Sequence, residues 1–292
     1  MTIYNLGSIN IDHIYQMEEL PKPGETLSAL SLSTRLGGKG MNISVALKRA
    51  GADVRHIGAV GAEDAKVRGF MQAFGLDLTH IRGVAQPTGH AMICVDQHAE
   101  NHIVLFAGAN AAFTEDSITA ALSEAQSGDW LVMQNETNAN EMGLKLAREK
   151  GMKIALVAAP FDARMPALMD QVDLVSVNKS EVEAYEAAIG GSFRDRKDIS
   201  FLVTYGADGA EFVSGGQSTR VHAHKVDAVD TTGAGDTFFG GFLAHYALGV
   251  SVEESLKFAS AMSALQVQHQ GAAVAIPTKA DVLAFLESVA AE

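Results

Sequence analysis

The chain has 292 residues, of which 47% are hydrophobic and 20% charged, so it is a globular sequence long enough for one large α/β domain or two smaller ones. Its 35 acidic against 22 basic residues leave a net charge of −13, which argues against general binding to nucleic acid or anionic membranes. The lone Cys94 excludes an intrachain disulfide and a cysteine-based zinc site, and the absence of a signal-like start or a stretch near the ~20 apolar residues of a membrane span leads us to expect a cytoplasmic protein.

Thr2–Ile9 reads as a buried first strand that delivers Asn10 and Asp12 at its far end. Ligands of doubly wound folds gather beyond strand carboxyl ends, which makes these two polar residues candidates for binding. Turn formation is the other role open to them. From Thr26 to Leu36 alternating Ser and Leu suggest a half-exposed strand, broken by Gly37-Gly38-Lys39-Gly40 before a helix over Asn42–Arg49. This glycine turn is not a Walker A loop, because Gly40 rather than Ser or Thr follows Lys39.

A strand at Val54–Val60, a helix at Glu63–Phe74 and a strand at Leu78–Arg82 come next. Gly89–Asp96 and Asn101–Phe106 alternate in polarity around the turn at 97–100, as a hairpin would. With Thr26–Leu36 they predict a small projecting sheet, a lid whose apolar face needs a partner surface. Helix Glu115–Gln126, strand Trp130–Gln134, helix Glu141–Glu149, strand Lys153–Val157, a short helix at Met165–Met169, strand Leu174–Val177 and helix Ser180–Ile189 then alternate. Such alternation predicts a mainly parallel, doubly wound sheet with helices on both faces. Ile199–Thr204 and Ala210–Ser214 read as a second hairpin, and helices near Asp236–Leu248, Val252–His269 and Lys279–Val289 close the chain. No repeat or linker is visible, so one α/β domain over 1–292, with lid strands from about 11–36 and 89–107, is the economical expectation.

The stretch Asp230-Thr231-Thr232-Gly233-Ala234-Gly235-Asp236 leads into the first of those closing helices. Its glycines let backbone N–H groups approach a ligand, and a helix N-terminus adds unpaired donors and partial positive charge. Asp236 would repel a phosphate there, which makes sense if it accepts a proton from a hydroxyl attacking that phosphate. Asp is also a favoured N-cap residue, and this stretch alone leaves both roles open. Two glycine turns far apart suggest one ligand with two ends. Gly233, Ala234, Gly235 and Asp236 suit the anionic end. Asn10, Asp12, Lys39, Asn42 and Glu136 offer donors and acceptors to a polyhydroxyl end. Asn178 and Glu181, one helical turn apart, could hold a hydrated Mg2+ near phosphates.

In these features the chain resembles the ribokinase (PfkB) family of sugar kinases over essentially its full length. Gly37-Gly38-Lys39-Gly40-Met41-Asn42, Asn178-Lys179-Ser180-Glu181 and Asp230–Asp236 are similar to three family motifs in the family's order. Asn10-Ile11-Asp12, Gly108-Ala109-Asn110-Ala111 and Met133-Gln134-Asn135-Glu136 incline the match toward the family's ribose kinases. The resemblance implies an ATP-dependent phosphotransferase converting D-ribose to ribose 5-phosphate. It implies that Asn10, Asp12, Gly38, Lys39, Asn42 and Glu136 hold the sugar and that Asp236 is the base. Asn178, Thr204, Gly206, Gly209 and Ser260 would serve the nucleotide, with Glu181 holding Mg2+ through water. It also implies a homodimer through the lid. A monovalent cation, K+, would sit among Asp230, Thr232, Gln266, His269, Gly271 and Ala275. Two departures from the family pattern are Ser260, where a histidine is common, and Val157-Ala158-Ala159-Pro160 after a central strand. A kinase for another sugar, sugar acid or nucleoside, and a catalytically silent sugar-binding sensor, are the rival readings.

Overall fold

The computed structural model describes residues 1–98 and 100–290, so Ala99 of the expected 97–100 turn lies outside the described residues. In chain order the first elements are β1 (Ile3–Leu6), β2 (Asn10–Gln16), β3 (Ser31–Gly37), α1 (Lys39–Arg49), β4 (Val54–Gly61), α2 (Ala65–Ala73), β5 (Ile81–Val84), β6 (Gly89–Val95) and β7 (Asn101–Phe106). Then come α3 (Glu115–Ala121), β8 (Trp130–Gln134), α4 (Asn140–Glu149), β9 (Lys153–Val157), α5 (Met165–Met169), β10 (Leu174–Asn178) and α6 (Lys179–Ile189). The chain continues through β11 (Ser200–Thr204), β12 (Ala210–Ser214), β13 (Gln217–Val221), α7 (Ala234–Tyr246), α8 (Val252–Gln266) and α9 (Lys279–Ala290).

The large sheet has nine strands in the order β13-β12-β11-β10-β9-β8-β1-β4-β5. It is parallel from β5 to β11, and β12 and β13 add antiparallel pairs at one edge. Its central strands are apolar on both faces because helices cover both. On β8, Trp130 and Val132 pack into one hydrophobic cluster while Leu131 and Met133 pack into the other, as the two-residue strand period requires. The expected doubly wound sheet is therefore present.

The lid has four strands, β3-β2-β6-β7, with β2 and β6 parallel and the other pairs antiparallel. Asn10 and Asp12 lie on β2, which runs through Gln16 as a lid strand within the expected lid region, so the turn role left open for them does not apply. A strand β13 also extends the second expected hairpin into a third strand.

Helix α7 is buried nearly all round between α1 and α8. Phe239, Phe242 and Leu243 have no exposure, each worth roughly 1.5–3 kcal/mol of burial. A Cβ on Gly240 would lie 2.4 Å from Cβ of Ala46, so only glycine permits this close approach of α7 to α1. That contact sets the two glycine turns side by side. Among the described residues no helix is long and apolar enough to cross a membrane.

Candidate functional site

The two glycine turns open α1 and α7. Gly233 caps α7 at φ +75°, a left-handed conformation, where a Cβ would also press 2.9 Å from Cβ of Ala272. Glycine alone suits the position on both counts. The Ala234 N–H is bonded to the Thr231 carbonyl at 3.1 Å. The N–H groups of Gly233 and Gly235 have no protein acceptor among the described residues, and space is open where a Gly235 side chain would point.

Asp236 is the third residue of α7 and not its N-cap, so the capping role left open by the sequence does not apply. Its side chain is buried, and Oδ2 accepts the Asn42 Nδ2 amide at 2.9 Å. Burial pushes its carboxyl up to about 6, with Glu136 and Glu181 adding to the rise and Lys39 and Asn42 opposing it. Such a group is ionised at neutral pH yet basic enough to take a proton. The oxygen of the Asn42 amide, Oδ1, is buried without a partner among the described residues, an acceptor available to a ligand hydroxyl.

Around Asn42 the remaining sugar-end candidates converge. Asn10 Oδ1 accepts Asn110 Nδ2 at 2.8 Å, and Asn110 is in turn fixed to both backbone groups of Ile9. Gly38 stands before α1 against the backbone of Ser8 and Asn10. Glu136 Oε2 accepts the Lys39 backbone N–H at 3.0 Å and the Ser8 hydroxyl. For the Lys39 ammonium, burial alone would favour the neutral form, but Asp236, Glu136 and Glu181 outweigh it and hold the proton more tightly than usual. The Asp12 carboxyl, on the site-facing side of β2, is pushed up to about 6 by burial and Glu136, against the pull of Arg35.

At the same N-terminal end of α7 lies a cavity of about 260 Å³, lined by the expected Thr204, Gly206, Gly209 and Ser260 together with Ala234 and Gly235. Its shape is completed by Ala223, His224, Val226 and Ala228, which the sequence reading missed because the 222–229 segment carries no periodicity or motif. Ser260 donates its hydroxyl to the His222 carbonyl at 3.1 Å, tying α8 to that segment. Asn178 is not part of the lining. It pairs with Thr204 in register and forms a reciprocal cap with Glu181, whose Oε2 accepts the Asn178 N–H at 2.8 Å. Burial raises the Glu181 carboxyl, and its charge reaches Lys39, placing it on the side of α1's turn.

Among the described residues no group of three or more His, Cys, Asp or Glu could hold a metal by itself. A divalent ion here would take water and phosphate oxygens as most of its ligands, the usual habit of Mg2+, with Glu181 reached through water. Near the α7 turn, Asp230 accepts the N–H groups of Thr232 at 2.9 Å and Gly271 at 2.8 Å. The carbonyls of Thr232 and Gly271 converge on Gln266 Nε2, at 2.9 and 3.3 Å. Ala275 is half-buried and His269 exposed nearby. Convergent carbonyls beside a carboxylate are a donor set suited to an alkali cation.

A family model described as pfkB family carbohydrate kinase matches residues 2–279. The chain belongs to that family. It is a carbohydrate kinase, a phosphotransferase with an alcohol group as acceptor, and the family's large sheet and small lid are those described above. A ribokinase of Haemophilus influenzae is 35% identical to it over 302 residues, covering 98% of each chain. The crystal structure of a ribokinase from Thermotoga maritima superposes with a TM-score of 0.89 at 30% identity, over 98% of this chain and 99% of that one. An Arabidopsis thaliana ribokinase complexed with ribose and ATP superposes with a TM-score of 0.81 at 29% identity, over 98% of both chains.

Sequence reasoning missed Ser8 and Arg35 at this site. A serine between strand residues and an arginine on a half-exposed strand carry no local signal; both acquire meaning only from what the fold sets beside them.

Proposed function

We propose that this family member phosphorylates D-ribose, transferring the γ-phosphoryl of ATP to a ribose hydroxyl to give ribose 5-phosphate. The observation that carries the reading is the place of Asp236: a buried carboxylate, pushed up to about 6, between a cluster of hydroxyl-binding side chains and an apolar cavity. The likeness to ribokinases, one of them solved with ribose and ATP, supports the substrate pair.

In this mechanism Asn10, Asp12, Gly38, Lys39, Asn42 and Glu136 hold the sugar hydroxyls. Thr204, Gly206, Gly209 and Ser260 hold the nucleotide, with Asn178 at the strand end beside them. Asp236 takes the proton from the attacking hydroxyl as its oxygen bonds to phosphorus and the bond to ADP breaks. The free N–H groups of Gly233 and Gly235 face the charge that develops on the transferring group. Asn42 orients the Asp236 carboxylate and offers its own Oδ1 to the sugar. Mg2+, when bound, neutralises phosphate charge, and Glu181 is the residue that would position it through water. Asp230, Thr232, Gln266, His269, Gly271 and Ala275 would surround a K+ ion that steadies the 230–235 backbone.

The lid supports assembly as a homodimer. Leu30 (68% exposed), Val104 (61%) and Leu105 (58%) leave apolar area that a four-stranded sheet cannot bury alone.

A panel of free pentoses, hexoses, sugar acids and nucleosides, assayed for ADP formation with ATP and Mg2+, tests the substrate. Ribose should give the highest kcat/KM. Preference for a nucleoside or another sugar would replace the substrate, and no turnover with any would leave a binding protein.

A further inference from the structure

Arg35 has a setting that the mechanism above does not use. It lies on β3 directly opposite Asp12 of β2, and directly opposed residues of an antiparallel pair share a face. That face is the one turned toward the sugar end, where Asp12 feels Glu136. The guanidinium then reaches across the mouth of the site. Its Nη1 lies 3.3 Å from where a Cβ on Gly271 would stand. Gly271 is bonded to Asp230, and the next residue, Ala272, packs on Gly233 of the anion-binding turn. Arg35 therefore lies about one residue's width from that turn. Burial works against ionisation of both Asp12 and Asp230, and the Arg35 charge works for it at each. Yet neither carboxylate forms an ion pair with it, and among the described residues no acceptor meets any of its N–H groups.

A half-buried guanidinium without a protein acceptor among the described residues, at the mouth of a site crowded with carboxylates, has N–H groups free to meet a ligand. Its planar fork matches a phosphoryl group better than a single sugar hydroxyl. Lys39 stands among the charges of Asp236, Glu136 and Glu181, which hold its proton, whereas Arg35 has no such set of partners. We infer that Arg35 is a phosphoryl-binding residue carried by the lid, which contacts oxygens of the transferring group and of the sugar phosphate product. The inference rests on the kinase reading above. It gives the lid a part in the transfer step, because strand β3 brings the cation with it.

The test compares wild type with Arg35→Met and Arg35→Lys, with folding checked by circular dichroism and melting. Ribose binding without nucleotide, ribose 5-phosphate binding and turnover are measured for each. Arg35→Met should lower turnover and ribose 5-phosphate affinity about 10- to 100-fold, the scale of a lost charged hydrogen bond, while ribose affinity stays within about threefold. Arg35→Lys, which keeps charge but not the fork, should fall between. Loss of ribose affinity together with unchanged product affinity would show that Arg35 serves Asp12, and unchanged values throughout would show a solvated side chain; either overturns the inference. If Arg35→Met does not fold, Arg35→Lys decides by the same comparison of product with ribose affinity. An inactive wild type would instead overturn the kinase reading, so the two failures are distinguishable.

Discussion

Asn42 donates its side-chain amide to Asp236 at 2.9 Å, joining residues 194 positions apart at the starts of two buried helices. This bond fixes the carboxylate at the meeting point of the polar cluster and the nucleotide cavity, and leaves Asn42 Oδ1 free for the sugar. It makes Asp236 and Asn42 a pair whose separate loss should read differently.

Asp236→Asn should lower turnover by about 10²- to 10⁴-fold, the usual range for a lost general base. The amide retains an oxygen that can accept from Asn42, so sugar and nucleotide affinities should change little. Calorimetric binding beside steady-state rates checks this, and near-normal turnover would remove Asp236 from the base role.

The pH dependence follows from the same carboxylate, held at about 6 against an ordinary 3.8. Proton abstraction needs the ionised form, so kcat/KM should fall as pH drops through about 6, with Asp12 titrating in the same range. Stability runs the other way. A raised carboxyl contributes stability that is complete below 3.8 and lost as pH rises through about 6. Asp236→Asn should therefore melt higher than wild type at pH 7.5, by an effect on the order of 2 kcal/mol, and the gap should close near pH 4. Parallel melting curves at both pH values would contradict the assignment.

Asp12→Ala and Asn42→Ala should weaken ribose binding while sparing nucleotide affinity. Each leaves a ligand hydroxyl without its partner, at about 1–3 kcal/mol. Should nucleotide affinity alone suffer in either variant, the two ends of the site are reversed.

Light scattering at micromolar concentration should give the mass of a dimer. Replacing Ile103 and Leu105 on β7 with lysine should shift the chain toward monomer, since both are exposed on the lid (53% and 58%). A monomeric wild type would contradict assembly through this sheet.

Turnover should be higher in K+ than in Na+ or a large organic cation at equal ionic strength. Asp230 holds the Thr232 and Gly271 N–H groups, and a cation beside it would stiffen the loop that aims the phosphate-binding donors. Equal rates in all three salts, with Asp230→Ala still active, would remove the ion.

Several features of this protein were legible in one dimension. The bounds of β8 and β9 coincide with the expected runs Trp130–Gln134 and Lys153–Val157, because a strand covered on both faces is apolar along most of its length. The two glycine turns announced themselves, since few other residues let backbone approach so closely. Periodicity is a local property, however, and says which face is apolar without saying what covers it. It could not show that β2 sits between β3 and β6 in the lid, because those partners lie outside any local pattern. Nor could it show that Asp236 stands inside α7 rather than capping it, a matter settled by the left-handed Gly233 before it. The meeting of Asn42 with Asp236, of Ser8 with Glu136 and of Arg35 with the Gly271 loop spans between 128 and 236 positions of chain. Such contacts exist only once α1 packs on α7 and the lid folds over the strand ends, so tertiary packing alone decided them.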